Sequence, residues 1–67
     1  MQKWEYMQVI HVRDPKTGDQ YWADSKKNKS HPIIRLGKLG EEGWELAAAY
    51  PTSRGAKVTY LLKRPVS

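Results

Sequence analysis

The sequence predicts an α+β fold, a small antiparallel sheet of three to four strands with one helix packed on one face, in the order β-(β)-α-β-β. Three observations predict it. Aromatic and β-branched residues alternate through Lys3–Arg13, the period-2 pattern of a pleated strand. One stretch, His31–Glu42, carries apolar residues at helical spacing. Two later segments, Trp44–Tyr50 and Lys57–Arg64, return to strand spacing across the turn-rich Pro51–Ala56.

In Lys3–Arg13 one face carries Trp4, Tyr6, Gln8, Ile10 and Val12, and the other Lys3, Glu5, Met7, Val9, His11 and Arg13. Asp14-Pro15-Lys16-Thr17-Gly18-Asp19 supplies turn chemistry, since Pro15 presets its φ and Gly18 allows a positive one. Gln20–Ala23 then forms a short strand that closes a hairpin. Adjacent Tyr21 and Trp22 point to opposite faces there, which leaves one of them exposed. Residues 14–30 as a whole are expected to be a mobile basic insertion, loop or hairpin, because Asp24–Ser30 reads DSKKNKS. Ser30 suits a helix N-cap and Pro32 the first helical turn, where its missing N–H costs nothing.

The helix carries Ile33, Leu36 and Leu39 on one side, close to Gly37, Gly40 and Gly43. An interior glycine costs about 1 kcal/mol relative to alanine. Close approach of the helix backbone to the sheet is the offset expected at Gly37 and Gly40, and Gly43 ends the helix. Gly43 and Pro51 bound the next strand, in which Trp44, Leu46, Ala48 and Tyr50 share a face. The last strand places Val58, Tyr60 and Leu62 opposite Thr59 and Leu61, and Pro65 ends it. The large aromatics assign the core to Trp4, Tyr6, Ile10, Leu36, Leu39, Trp44, Leu46 and Tyr60.

With 67 residues the chain forms one domain, and a domain of this size buries only about 60% of its unfolded surface. Such folds usually carry a staple. Cysteine is absent, which excludes disulfides and thiolate metal sites. His11 and His31 have no Asp, Glu or His cluster around them, so neither a metal nor a cofactor is expected. A partner subunit remains. The sheet face away from the helix is expected to carry Met7, Val9, Ala47, Ala49 and Leu61, an apolar patch that suits a homo-oligomer interface. No apolar run approaches the ~20 residues that span a bilayer, and Met1–Tyr6 lacks an apolar leader core. Together these point to a cytoplasmic protein without a membrane partner.

The residues Trp4-Glu5-Tyr6, then Leu36-Gly37-Lys38-Leu39-Gly40-Glu41-Glu42-Gly43-Trp44-Glu45-Leu46, then Tyr60-Leu61-Leu62-Lys63-Arg64-Pro65 resemble a family of small bacterial and bacteriophage proteins classed as a domain of unknown function. The resemblance spans nearly the whole chain, and its middle motif sets glycines, a tryptophan and an acid at fixed spacings. It implies a compact α+β fold and carries no activity with it. Residues 14–30 depart from the family pattern in length and basicity.

No catalytic pattern stands out. Glu41, Glu42 and Glu45 gather at a helix end, not across a cleft as paired carboxylates for glycoside hydrolysis would. Neither histidine has a Ser or Asp partner at a recognisable spacing. There is no phosphate loop and no H-E-x-x-H pattern, so an enzyme is not expected. The formal charge of +5 and pI of about 9.7 favour anionic partners. The sharpest candidate site combines Tyr21 and Trp22 with Lys26, Lys27, Lys29 and Arg35, because aromatics beside positive charge hold nucleotides. The sequence thus reads as a non-catalytic homo-oligomeric binding protein. Its ligand is a small anionic, nucleotide-like molecule or an acidic protein, with a sequestering or inhibitory role. The alternative is a nucleic-acid-binding module built on the basic 21–38 region.

Overall fold

A computed structural model describes residues 1–52 and 56–66. Strands β1 (Lys3–Arg13) and β2 (Gln20–Trp22) precede helix α1 (Pro32–Glu41), which leads into β3 (Glu45–Thr52) and β4 (Lys57–Val66). The sheet is antiparallel throughout with strand order β2-β1-β4-β3. The first and last strands therefore pair along almost their whole length at its centre, from Lys3 opposite Val66 to Val12 opposite Lys57.

The hairpin β1–β2 turns where its sequence says it should. Gly18 takes φ +75°, its N–H donates to the Asp14 carbonyl at 2.8 Å, and the Asp14 carboxylate accepts from the Lys16 N–H at 2.8 Å. At the helix start the cap is His31, not Ser30: its Nδ1 accepts from the Ile33 N–H at 3.1 Å, and Pro32 follows as the first helical residue. At the helix end Gly43 adopts φ +94°. Its N–H donates to the Gly40 carbonyl and the Trp44 N–H to the Leu39 carbonyl, a paired closure that satisfies two otherwise orphaned carbonyls.

Strand β4 runs through Pro65, and β3 runs through Pro51 to Thr52. The ladder explains both prolines. Pro65 stands opposite Trp4, and beyond Lys63 strand β4 has no β3 partner. Pro51 pairs with Val58, a position whose ladder groups are used by β1, so a Pro51 N–H would have pointed off the sheet edge. Neither ring removes a ladder hydrogen bond. The turn expected at 51–56 falls partly on residues outside those described.

On β1 the faces are the reverse of the sequence expectation, whereas Tyr60 on β4 keeps the helix side. Val9 and Leu62 are buried under the helix, and Met7, Leu36, Leu39, Trp44 and Tyr60 pack against them. Met7 and Val9 are thus core, not interface. Trp4 and Tyr6, expected in the core, lie on the other face and are 40% and 62% exposed, and Ile10 shares that face half-buried. A bulge at Ala47 also breaks the alternation in β3, because Leu46 pairs with Leu62 and Ala48 already with Leu61. Leu46, expected in the core, faces the helix side opposite Leu62 but is exposed there; past the bulge Ala49 turns to that side, also exposed, while Ala48 and Tyr50 turn to the open face, and only Leu61 of the five interface candidates lies squarely on the open face.

Trp22 is the residue behind this inversion. It sits opposite His11 on the helix side and is completely buried. Its Nε1 donates to the Ser30 carbonyl at 3.0 Å, the His11 ring meets it edge-on at 4.9 Å, and the Arg35 guanidinium lies 4.6 Å from its centroid. One large indole from the edge hairpin fills the space that Trp4 and Tyr6 were expected to fill.

The helix glycines do not touch the sheet. A Cβ added at Gly37 or Gly40 would meet nothing within 4 Å. Gly37→Ala and Gly40→Ala are each expected to raise stability by about 1 kcal/mol, read from urea midpoints at unchanged slope. A loss of stability at either position would instead show that another surface closes on that flank.

Candidate functional site on the open sheet face

The face of the sheet away from α1 has no covering element among the described residues. Cross-strand register defines its content. Strand β1 contributes Trp4, Tyr6, Gln8, Ile10 and Val12; opposite them β4 contributes Pro65, Lys63, Leu61, Thr59 and Lys57. Glu45, Ala48 and Tyr50 continue the rows on β3, and Tyr21 continues the Val12 row on β2. The centre is aliphatic, with Thr59 nearly buried between Ile10 and Tyr50. Aromatic rings ring that centre, and Trp4, Tyr6 and Tyr50 are all substantially exposed.

Positive charge is interleaved with these rings. The Lys63 ammonium stands 4.5 Å from the Trp4 centroid, and Lys57 lies on the same face at the other end of the strand. Among the described residues of these strand rows Glu45, across from Lys63, is the one acid against Lys57 and Lys63, within a chain of charge +5. Aromatic faces with neighbouring cations on an antiparallel sheet are the chemistry that stacks bases and balances phosphates.

The residues of the basic 21–38 candidate are divided. Trp22 is core and presents no ring to a ligand. Arg35 makes a two-pronged ion pair with Asp24, at 2.8 and 2.6 Å, which holds the Asp24 carboxyl below the usual carboxylate range, chiefly through that hydrogen bond. The Lys29 ammonium pairs with Asp19 at 2.8 Å and stands 5.6 Å from the Tyr21 ring. Lys26 and Lys27 remain exposed on the loop. Tyr21 belongs to the open face. The structure therefore takes Trp22 and Arg35 out of the candidate, keeps Lys29 beside Tyr21, leaves Lys26 and Lys27 on the loop, and places Trp4, Tyr6, Tyr50 and Lys63 on one open face with Tyr21. Sequence reasoning missed this group because period 2 names two faces without ranking them; the signal available was Trp22, an aromatic large enough to claim the core from β2.

A concave spot at the same end of the sheet as Trp4 and Lys63 is lined by Glu5, Glu42, Gly43, Arg64, Pro65 and Val66. Arg64 fills its functional capacity internally. Its Nε donates to Glu5, its Nη1 to the Glu42 carbonyl at 3.1 Å, and its guanidinium lies 4.3 Å from the Trp44 ring. This group ties the chain end to the helix end. Among the described residues no group of three or more His, Cys, Asp or Glu is placed to hold a metal ion, and no helix is long and apolar enough to cross a membrane.

His11 adds a pH dependence. Burial, and then the charge of nearby His31, lowers its pKa from the ordinary imidazole value of about 6.5. The folded chain then binds fewer protons than the unfolded one as pH falls below 6.5, so protonation favours unfolding. Stability should be full above about pH 6.5 and fall as pH drops toward the lowered folded value, then level off. His11→Gln should flatten that step in urea titrations across pH 7 to 5; an unchanged step would assign it elsewhere.

No family model, curated protein or solved structure matches this chain.

Proposed function

We propose that the chain is a non-catalytic, homo-oligomeric binding protein whose working surface is the open sheet face, and that its ligand is built of nucleotide units, free or in a single strand. The observation that carries this reading is the exposure of Trp4, Tyr6 and Tyr50 on one uncovered face with Lys63 held against the Trp4 ring. Rings supply stacking that tolerates any base, and lysines supply phosphate attraction. Compact ligands favour concave sites, whereas cross-strand rows of exposed rings and lysines on an open sheet suit an extended strand.

The experiment is a titration of the protein's tryptophan fluorescence with a mononucleotide, and with short single-stranded DNA and RNA, at several salt concentrations. Strand binding should weaken steeply with salt, in proportion to the phosphates contacted. Each of Trp4→Ala and Tyr6→Ala should weaken it by roughly 1–3 kcal/mol, the usual value of one stacked base. Tight mononucleotide binding with a shallow salt response would select the free nucleotide. Absence of binding by all three would end the reading.

A second reading rests on the aliphatic centre of the same face, Ile10, Val12, Leu61 and Ala48. Apolar area of this kind also suits a protein surface. If a second copy or another protein occupies it, Leu61→Asp should abolish that association without unfolding the chain.

A further inference from the structure

The two edges of the sheet are not alike. The β3 edge is guarded: it carries the bulge at Ala47 and a proline at position 51, devices that stop another strand from adding. The β1 edge is guarded only where β2 covers it, from His11 to Arg13, with one more bond from the Ala23 N–H to the Ile10 carbonyl. Among the described residues, strand β1 is paired from Lys3 to Val9 on its β4 side alone.

The direction of its backbone groups follows from two hydrogen bonds. The Ile10 carbonyl accepts from β2's side, and the Arg13 N–H donates to Ala56 on β4's side. In an antiparallel ladder the N–H and C=O of one residue point the same way, and successive residues alternate. The even residues therefore face outward. Trp4, Tyr6 and Gln8 present three N–H and three C=O groups, in register, with no ladder partner among the described residues.

We infer that this edge pairs with the same edge of a second copy, antiparallel, across a two-fold axis through Tyr6. The inference rests on the oligomeric reading above and names its interface. This register places Tyr6 opposite Tyr6 of the second copy and Trp4 opposite Gln8, so all six outward groups find partners. A register one pair shorter, with Trp4 opposite Tyr6, would leave Gln8 beyond the end of the partner strand. The chosen register also sets Lys3 against Val9 and Glu5 against Met7, so no like charges meet. The result is a continuous eight-stranded sheet. Its open face joins the two copies' Trp4, Tyr6 and Lys63 into one platform, and the contact repeats the same patch on both subunits, as a closed two-fold requires.

The absence of cysteine makes the register directly testable. In a hydrogen-bonded antiparallel pair the Cα atoms lie about 5.5 Å apart, within the range a disulfide spans. Tyr6→Cys should therefore oxidise rapidly to a covalent dimer. Ile10→Cys and Leu61→Cys, on the face and away from the axis, should stay reduced under the same conditions. Native mass spectrometry of the unsubstituted chain should show an even assembly, and Gln8→Pro should reduce it to monomer with a near-native circular dichroism spectrum, because the Gln8 N–H serves no β4 bond. Gln8→Lys, which leaves the backbone pairing intact, should remain a dimer. Cross-linking at Ile10 or Leu61 in place of position 6 would overturn the edge in favour of stacked faces. A monomeric unsubstituted chain that still binds a single strand would overturn the edge and leave the binding surface standing.

Discussion

Trp22→Ala is expected to unfold the chain. A 67-residue domain at the usual 0.05–0.15 kcal/mol per residue has roughly 3–10 kcal/mol of stability in total. Removing a buried Trp side chain costs about 3–5 kcal/mol. Here three further losses follow from the same substitution. The Ser30 carbonyl loses its donor, His11 its edge-on neighbour and Arg35 the ring beneath it. The core also has little redundancy, since Val9 and Leu62 are the only other buried apolar residues among those described. Trp22→Phe keeps a ring and gives up the indole N–H, so it should cost far less, about 1 kcal/mol for the hydrogen bond plus the lost volume. Urea unfolding followed by circular dichroism separates the two. A Trp22→Ala protein that unfolds near the parent's midpoint would mean that the hairpin does not supply the core.

That expectation also shows where the sequence was legible and where it was not. The four strands, the one helix, their order and the two hairpins follow from local signals: alternation in β1 and β4, Gly18 in the first turn, Pro32 and Gly43 at the helix ends. Those signals act within a few residues and survive any tertiary arrangement. The site was not legible, because it depends on which side of β1 meets the helix. Trp4 and Tyr6 are the larger residues on their face, and size alone assigned them inward. Met7 and Val9 are smaller, yet they face inward because Trp22 arrives beside them from β2, and Leu36 and Leu39 close over them. The bulge at Ala47 was likewise invisible, since one extra residue in a run of alanines changes no local pattern while it turns Ala48 and Tyr50 off the face they were expected to share with Leu46. His31 displaced Ser30 as the cap for a geometric reason: it directly precedes Pro32, and its Nδ1 reaches the Ile33 N–H.

The orientation of the sheet can be tested by a matched pair of substitutions. Val9→Asp places a carboxylate where the side chain is almost wholly buried. It loses the burial of a valine, about 1.5–3 kcal/mol, and adds the cost of an unpaired polar group, at least 1–3 kcal/mol by mutational measures. The total is comparable to everything that holds the chain together, so the variant should be unfolded at neutral pH. Acidification that protonates the new carboxyl should recover part of the lost stability. Leu61→Asp makes the same chemical change one ladder row away and on the other side of the same sheet. Its neighbours across the strands are Gln8 and Ala48, and water reaches the face, so the fold should persist with a loss of at most a few kcal/mol. If both variants unfold alike, the open face is itself interior in the working protein, and a partner that covers it becomes part of the fold. If only Val9→Asp unfolds, the aromatic face stands clear of the core and is free to carry a ligand.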